Sequence, residues 1–139
     1  LPVLTAFIPM LMDTGGNCGS QSSTLIIRGL ALDEIKFKDI FRVIFKEFRI
    51  ALLVGIGLAI ANGIRIFIMY KDLKMAIVIA LSLSLIVIIA KIIGCTLPLF
   101  AKKLHMDPPI MASPLITTVV DTCSIMIYFS IATRVFTLS

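Results

Sequence analysis

The sequence predicts an all-α polytopic membrane protein, a bundle of four transmembrane helices with an amphipathic helix at the membrane surface. Of its 139 residues, 59% are hydrophobic and 15% are charged, and the mean hydropathy is +1.09. Soluble domains average about 45–50% apolar and 25% charged residues. A folded chain of this size still exposes roughly a third of its unfolded surface, which would here be apolar. These numbers argue against a water-soluble enzyme, a nucleic-acid-binding protein and a disordered tail.

Four apolar segments are long enough to cross a hydrocarbon layer of about 30 Å, which takes about 20 helical residues. They cover residues 2–27, 50–70, 75–100 and 109–135. Only residues 71–74 separate the second segment from the third, which predicts an antiparallel hairpin. Residues 101–108 link the third and fourth.

The longest connection, residues 28–49, has a different pattern. Apolar residues recur there at helical spacing, and charged residues occupy the other side: Phe37, Phe41, Ile44, Phe45 and Phe48 against Lys36, Asp39, Arg42, Lys46 and Glu47. This favours an amphipathic helix over 34–48 that lies on the bilayer, with Phe in the acyl boundary and Lys and Arg among anionic headgroups. Docking of a soluble partner is the alternative.

The distribution of Lys and Arg predicts the orientation, because these residues gather on cytoplasmic loops. The side formed by 28–49 and 101–108 carries most of them: Arg28, Lys36, Lys38, Arg42, Lys46, Arg49, Lys102 and Lys103. We therefore expect both connections to be cytoplasmic and both termini to lie outside a plasma (inner) membrane. An outer N-terminus without a cleavable signal pattern predicts a further crossing upstream.

Apart from Arg134 at the outer end of the fourth, each crossing contains one charged residue, and a charge in mid-membrane costs at least about 2.5 kcal/mol. They are Asp13, Arg65, Lys91 and Asp121. Arg65 is close enough to the outer interface for its side chain to reach the headgroups. Lys91 is too deep for that, so it needs an acidic partner or a wet cavity.

The two aspartates belong to polar stripes at helical spacing. The stripes are Asp13, Asn17, Gln21, Thr24 and Arg28 in the first crossing, and Ser113, Thr117, Asp121, Ser124 and Tyr128 in the last. Two such stripes predict the walls of an aqueous path. The alternative is hydrogen bonding between helices, which would not need an aspartate in each stripe.

Glycines mark two further features. Gly15, Gly16 and Gly19 lie within six residues, which predicts a loosened helix whose carbonyls help to coordinate a cation. The alternative is close packing of the Gly15–Gly19 pair. In the second crossing, Gly55, Ala59 and Gly63 indicate a packing face.

The available ligands are oxygens, which suit hard cations such as Mg²⁺ or Ca²⁺. One small unit supplies too few carboxylates, so we expect a homo-oligomer, most simply a C2 dimer, whose paired Asp121 side chains contact a hydrated ion. The three cysteines are expected to be packing thiols. The sequence contains no HExxH motif and no plausible Ser/Lys or Ser/His pair, and its single histidine, His105, is in a loop. We therefore expect no enzyme.

Two further runs are distinctive: PMLMDTGGNCGSQSSTLIIRGLA at 9–31, and Asp107-Pro108 followed by SPLITTVVD at 113–121. They resemble two signatures of the MgtE family of magnesium channels. The resemblance covers nearly the whole chain. It implies a homodimeric Mg²⁺ channel with five transmembrane helices per subunit, whose pore at the dimer axis is lined by the first and fourth crossings found here.

By position, the resemblance makes Asp121 the residue that binds hydrated Mg²⁺, with Thr117, Asn17 and Ser113 beside it. Further residues are expected to line the pore: Asp13, Gly15, Gly16, Gln21, Thr24 and Ser124. Mn²⁺, Co²⁺ or Ca²⁺ could substitute for Mg²⁺. Some members have Asn in place of Ser113, and Lys91 belongs to neither signature.

The family also has a first transmembrane helix and cytoplasmic N-terminal and CBS regulatory domains that are not found here. Residues 1–139 are therefore expected to be the pore-domain portion of a longer polypeptide. Two other functions are considered: an ion- or proton-coupled secondary transporter in which Asp13, Lys91 and Asp121 exchange partners, and a non-conducting anchor module. The secondary transporter, unlike a passive pore, would need a pH gradient. The anchor module, unlike a pore, would keep its function when Asp121 is replaced by Ala.

Overall fold

The structure, a computed structural model, describes residues 5–34, 37–105 and 113–137. It confirms the all-α fold with four long helices: α1 (Ile8–Ala31), α2 (Ile40–Tyr70), α3 (Leu73–Lys103) and α4 (Ser113–Thr137). A short 3₁₀ turn, Phe37–Asp39, precedes α2. The parts of the predicted crossings at 2–4 and 109–112, and positions 106–108 of the last link, lie outside the described residues.

Helix α3 is the centre of the bundle and packs against the three other helices. Its apolar residues face several neighbours, and Leu83, Val87 and Leu99 are fully buried. Helices α1 and α4 pack on α3 and on each other, whereas α2 packs mainly on α3. Most of α2 therefore remains exposed, as expected of a helix that faces lipid.

The predicted hairpin of the second and third crossings is confirmed. Lys71, whose backbone is left-handed (φ 52°), caps the C-terminal end of α2. The Asp72 carboxylate accepts hydrogen bonds from the N–H groups of Lys74 (3.0 Å) and Met75 (3.4 Å). This is an N-cap of α3. Where the helices meet, a Cβ on Gly55 would lie 3.4 Å from the α3 backbone, so the predicted packing face is confirmed as well.

Residues 35 and 36 of the amphipathic segment lie outside the described residues, and the described remainder forms no separate α-helix, so that prediction is corrected. Residues 40–49 are the first turns of α2, which has 31 residues and is about 46 Å long. Val43 and Ile44 pack on a buried cluster of α1 and α3 residues, while Phe41 and Phe45 stay exposed. One side of the segment thus packs against the bundle, and its helix continues without a break into the crossing.

Within the described part of the chain, three helices are long and apolar enough to cross a membrane: α2, α3 and α4. Helix α1, with 24 residues, is about 36 Å long, which also suffices. The polar stripe lowers the hydropathy of α1, so α1 is not one of these three apolar helices. The chain is a multi-pass membrane protein.

The expectation of a loosened first helix is wrong, because α1 is regular through its glycines. A Cβ on Gly15 would lie 2.7 Å from Ile86 of α3 and 2.9 Å from Val120 of α4. A Cβ on Gly94 of α3 would collide with the Gly19 carbonyl. The glycines thus permit close packing of α1, which was the alternative.

Candidate functional site: a polar groove between α1 and α4

An open groove of about 430 Å³ runs between α1 and α4, and we call it the polar groove. It is lined by Met12, Asp13, Gly16, Asn17, Ser20, Thr117 and Asp121. Five of these residues were singled out from the sequence: Asp13, Gly16, Asn17, Thr117 and Asp121. The fold thus brings the two predicted polar stripes together.

The groove exists because small residues let the two helices approach closely. A Cβ on Gly16 would lie 3.5 Å from the Thr117 methyl group, so the α1 backbone forms the floor at this point. Gly19 packs more tightly, since its Cβ would lie 2.9 Å from Ile116 of α4. Larger residues here would push α1 away from Thr117 and Asp121.

Asp121 is the least satisfied group of the groove. Its Oδ1 atom is buried, yet it accepts no hydrogen bond from any residue that the structure describes. Asp13 and Asn17, on the α1 wall, are exposed. A buried acceptor without a donor is costly. An N–H, an O–H or the water shell of a cation would satisfy it.

The α1 stripe continues beyond the groove toward the end of that helix. Gln21 and Thr24 are exposed and line a second opening of about 540 Å³, which Ser20 shares with the polar groove. The Thr24 hydroxyl donates to the Ser20 carbonyl (2.9 Å) within the helix. The predicted polar face of α1 is therefore one continuous exposed strip from Asp13 to Thr24.

Three residues expected on the path, Gly15, Ser124 and Tyr128, lie inside the bundle instead. Ser124 is 2% exposed, and its hydroxyl faces Gly15 at the contact of α1 with α4. Tyr128, the last member of the α4 stripe, is fully buried in the core. Among the stripe residues whose side chains are described, Thr117 and Asp121 reach the groove, whereas Ser124 and Tyr128 are covered by neighbouring helices. The Ser113 side chain lies outside the described residues.

The acidic partner of Lys91 is Glu47, which the sequence pattern puts on the charged side of the amphipathic segment. The Lys91 Nζ atom lies 4.0 Å from Glu47 Oε2 and donates to the Ser22 hydroxyl (3.5 Å), which donates to Glu47 Oε2 (3.0 Å). All three residues are buried, with Lys91 8% and Glu47 6% exposed. This buried triad joins α1, α2 and α3. Lys91 is not part of the polar groove.

The groove offers carboxylate, amide, hydroxyl and carbonyl oxygens, the ligand types of hard cations. Across 5–34, 37–105 and 113–137, no three His, Cys, Asp or Glu side chains gather at one point. The described residues of one chain therefore supply too few charged ligands to strip a divalent cation of its water. The polar groove suits contact with an ion through the ion's own water shell.

Comparison with known proteins points to a transport family. The sequence model of the MgtE family, described as a divalent cation transporter, matches residues 8–131. The chain is 40% identical over 130 residues to the magnesium transporter MgtE of Bacillus subtilis (strain 168), and 37% identical over 129 residues to the protein of that name from Thermus thermophilus. A third relative, from Enterococcus faecalis, is 31% identical over 130 residues.

These matches cover 94%, 93% and 94% of this chain, but only 29%, 28% and 29% of the three relatives. The chain thus spans less than a third of the length of the curated relatives that it matches.

Proposed function

The chain belongs to the MgtE family of divalent cation transporters, and on that premise we propose that it forms the pore portion of a homodimeric magnesium channel. The polar groove carries this proposal, because it combines two polar helix faces with Asp121, whose carboxylate has one buried oxygen without a hydrogen-bond donor among the described residues. Mg²⁺ would pass through it down its own electrochemical gradient.

A second copy of the chain is the natural cover for the groove. Exposed Asp13 and Asn17 belong to a helix within a membrane bundle, where polar side chains facing lipid are unfavourable. A two-fold axis beside the groove would place two such faces opposite each other. The result is an aqueous path lined by α1 and α4 of both subunits, while the apolar face of α2 remains toward lipid.

The ion is proposed to pass with much of its water shell in place. Mg²⁺ loses water reluctantly and usually keeps several waters when proteins bind it. Two Asp121 carboxylates would supply the negative charge, and Thr117, Asn17 and Ser113 would complete the contacts through water. Mn²⁺, Co²⁺ and Ca²⁺ are candidate substitutes because the ligand types are shared.

The proposed topology rests on the distribution of Lys and Arg between the two sides of the membrane. We place residues 28–49 and 101–108 on the cytoplasmic side of the plasma membrane and the termini of residues 1–139 outside. The whole polypeptide would add the regulatory domains and a further crossing. The relatives are much longer than the region that matches this chain, which leaves room for both.

The first test is Asp121→Asn, which preserves size and removes the charge. Full-length protein is reconstituted in liposomes, and Mg²⁺ uptake is followed with an internal fluorescent indicator. We expect Mg²⁺ uptake at least about 100-fold slower than wild type, because the variant removes one negative carboxylate charge from each subunit beside the ion. Asp33→Asn, in the loop after α1, is the matched control and should leave uptake unchanged.

The same assay separates the other functions. Uptake that follows only the Mg²⁺ gradient and the membrane potential supports a passive pore. Uptake that requires a pH gradient would favour the coupled carrier, and Asp121→Asn with wild-type uptake would remove the groove from the path. Chemical cross-linking of the variant to a dimer shows that the loss is not a failure to assemble.

A further inference from the structure

A second groove, of about 990 Å³, lies between the C-terminal end of α1 and the first turns of α2, and we call it the basic groove. We propose that it binds the phosphate headgroup and upper acyl chains of an anionic phospholipid. This site is separate from the polar groove, and the inference does not depend on how ions cross the protein.

Positive charge dominates the lining of the basic groove. Four cations surround it: Arg28 of α1, and Arg42, Lys46 and Arg49 of α2. Two acids also line it, but Glu47 is turned into the buried triad with Lys91. Glu34 remains, and Asp39 forms an exposed ion pair with Arg42 (3.3 Å). A surplus of positive charge is left for an anion.

The walls between these cations are apolar and exposed. Phe41 is 83% exposed, and Phe45, Leu25 and Leu32 are also more than half exposed. The Arg49 guanidinium lies 5.2 Å above the Phe45 ring, which holds one cation against an apolar wall. A free phosphate would use only the charges, whereas a phospholipid would also cover the apolar walls. That combination identifies a lipid as the occupant.

The basic groove also lies at the depth of the lipid headgroups. Helix α2 is about 46 Å long, about 16 Å more than the hydrocarbon layer, so roughly ten of its residues extend past the layer. With α2 ending at the hairpin, which the proposed topology puts outside, those residues are 40–49. They would lie at headgroup level of the cytoplasmic leaflet, where anionic lipids are concentrated and each Lys or Arg contributes about a kilocalorie of attraction.

The buried triad makes the groove a defined site. Glu47, one residue from Lys46, is held by Ser22 of α1 and Lys91 of α3. The cations of α2 are therefore presented at a set distance from Arg28. A surface helix without such an anchor would attract anionic lipids as a class but would hold no single molecule.

The test is lipid retention by the full-length protein. Delipidated protein in detergent is mixed with phosphatidylglycerol or phosphatidylcholine, and bound lipids are counted by native mass spectrometry. We expect selective retention of phosphatidylglycerol. Arg28→Gln/Lys46→Gln should weaken it about 30-fold, as expected for loss of two headgroup-level cations. The control Lys102→Gln/Lys103→Gln removes the same charge from the same side outside the groove and should bind like wild type.

Several outcomes would overturn the proposal. Equal retention of the two lipids, or equal weakening by both double variants, would mean general charge attraction. Displacement of the lipid by millimolar inorganic phosphate would mean a site for free phosphate. Cross-linking of a second subunit across Phe41 would mean a protein interface. The comparison of two lipids on wild-type protein needs no variant, so it remains decisive if the groove variant folds poorly.

Discussion

The buried triad makes a strong prediction about stability. Replacing Lys91 by Met removes the ammonium while keeping a long apolar side chain of similar length. The Glu47 carboxylate then stays inside the bundle with only the Ser22 hydroxyl to compensate it. Both acidic and basic partners are over nine-tenths buried in the fold, so water cannot replace the missing charge.

The structure sets the size of the effect. Removing one partner of a buried ion pair typically costs about 3–5 kcal/mol, because the remaining charge is uncompensated. Here the two charged atoms are 4.0 Å apart, a long ion pair, and Ser22 continues to donate at 3.0 Å. We therefore expect the lower end of the range, about 3 kcal/mol, for Lys91→Met. Removing both charges in Lys91→Met/Glu47→Leu should return stability to within about 1 kcal/mol of wild type.

Reversible unfolding of full-length protein in mixed micelles, with rising SDS fraction, measures these differences. Lys74→Met is the matched control, since Lys74 is exposed at the hairpin and should change stability by less than about 0.5 kcal/mol. If Lys91→Met costs no more than Lys74→Met, the triad does not hold the helices together. If the double variant is as unstable as the single one, the cost comes from packing and not from an unpaired charge.

Three further predictions use the same unfolding assay. Gly15→Ala should destabilise the protein by about 1–3 kcal/mol, because the added Cβ would overlap Ile86 and Val120. Gly57→Ala is the control: Gly57 has open space around it, so the change should be neutral or stabilise by up to about 1 kcal/mol. Equal effects of the two variants would contradict the packing at Gly15. Asp72→Ala should cost about 0.5–2 kcal/mol through loss of the α3 cap, and Asp72→Asn should recover most of it. Ser22→Ala should cost about 1.5–3 kcal/mol in wild type but little in the Lys91→Met/Glu47→Leu background; an equal cost in both would place Ser22 outside the triad.

The fold was predictable where local patterns decide it. Composition required a membrane protein, and runs of apolar residues located three of the helices that the structure finds suited to crossing. The α1 stripe was read directly from helical spacing, and Asp13, Asn17, Gln21 and Thr24 are all exposed on the described helix. Such periodicity depends only on the residues of one helix, so it survives any arrangement of neighbours.

Features set by neighbouring helices were not predictable in the same way. Ser124 lies on the same stripe as Asp121, yet α1 covers one and leaves the other at the groove. Glu47 and Lys91 are 44 positions apart, and nothing local distinguishes Glu47 from the other acids of its connection. One signal was available for α2: no Gly or Pro interrupts residues 40–54, so no break between the amphipathic segment and the crossing was required.

The most direct test of the central proposal is a crystal structure of the full-length protein soaked in Mn²⁺, with anomalous scattering used to locate the ion. We predict a peak on a two-fold axis between the polar grooves, roughly 4–5 Å from both Asp121 carboxylates, which is the separation that one intervening water gives. A structure in which Asp121 faces lipid, or bonds within its own chain with no ion on the axis, would contradict the proposed pore.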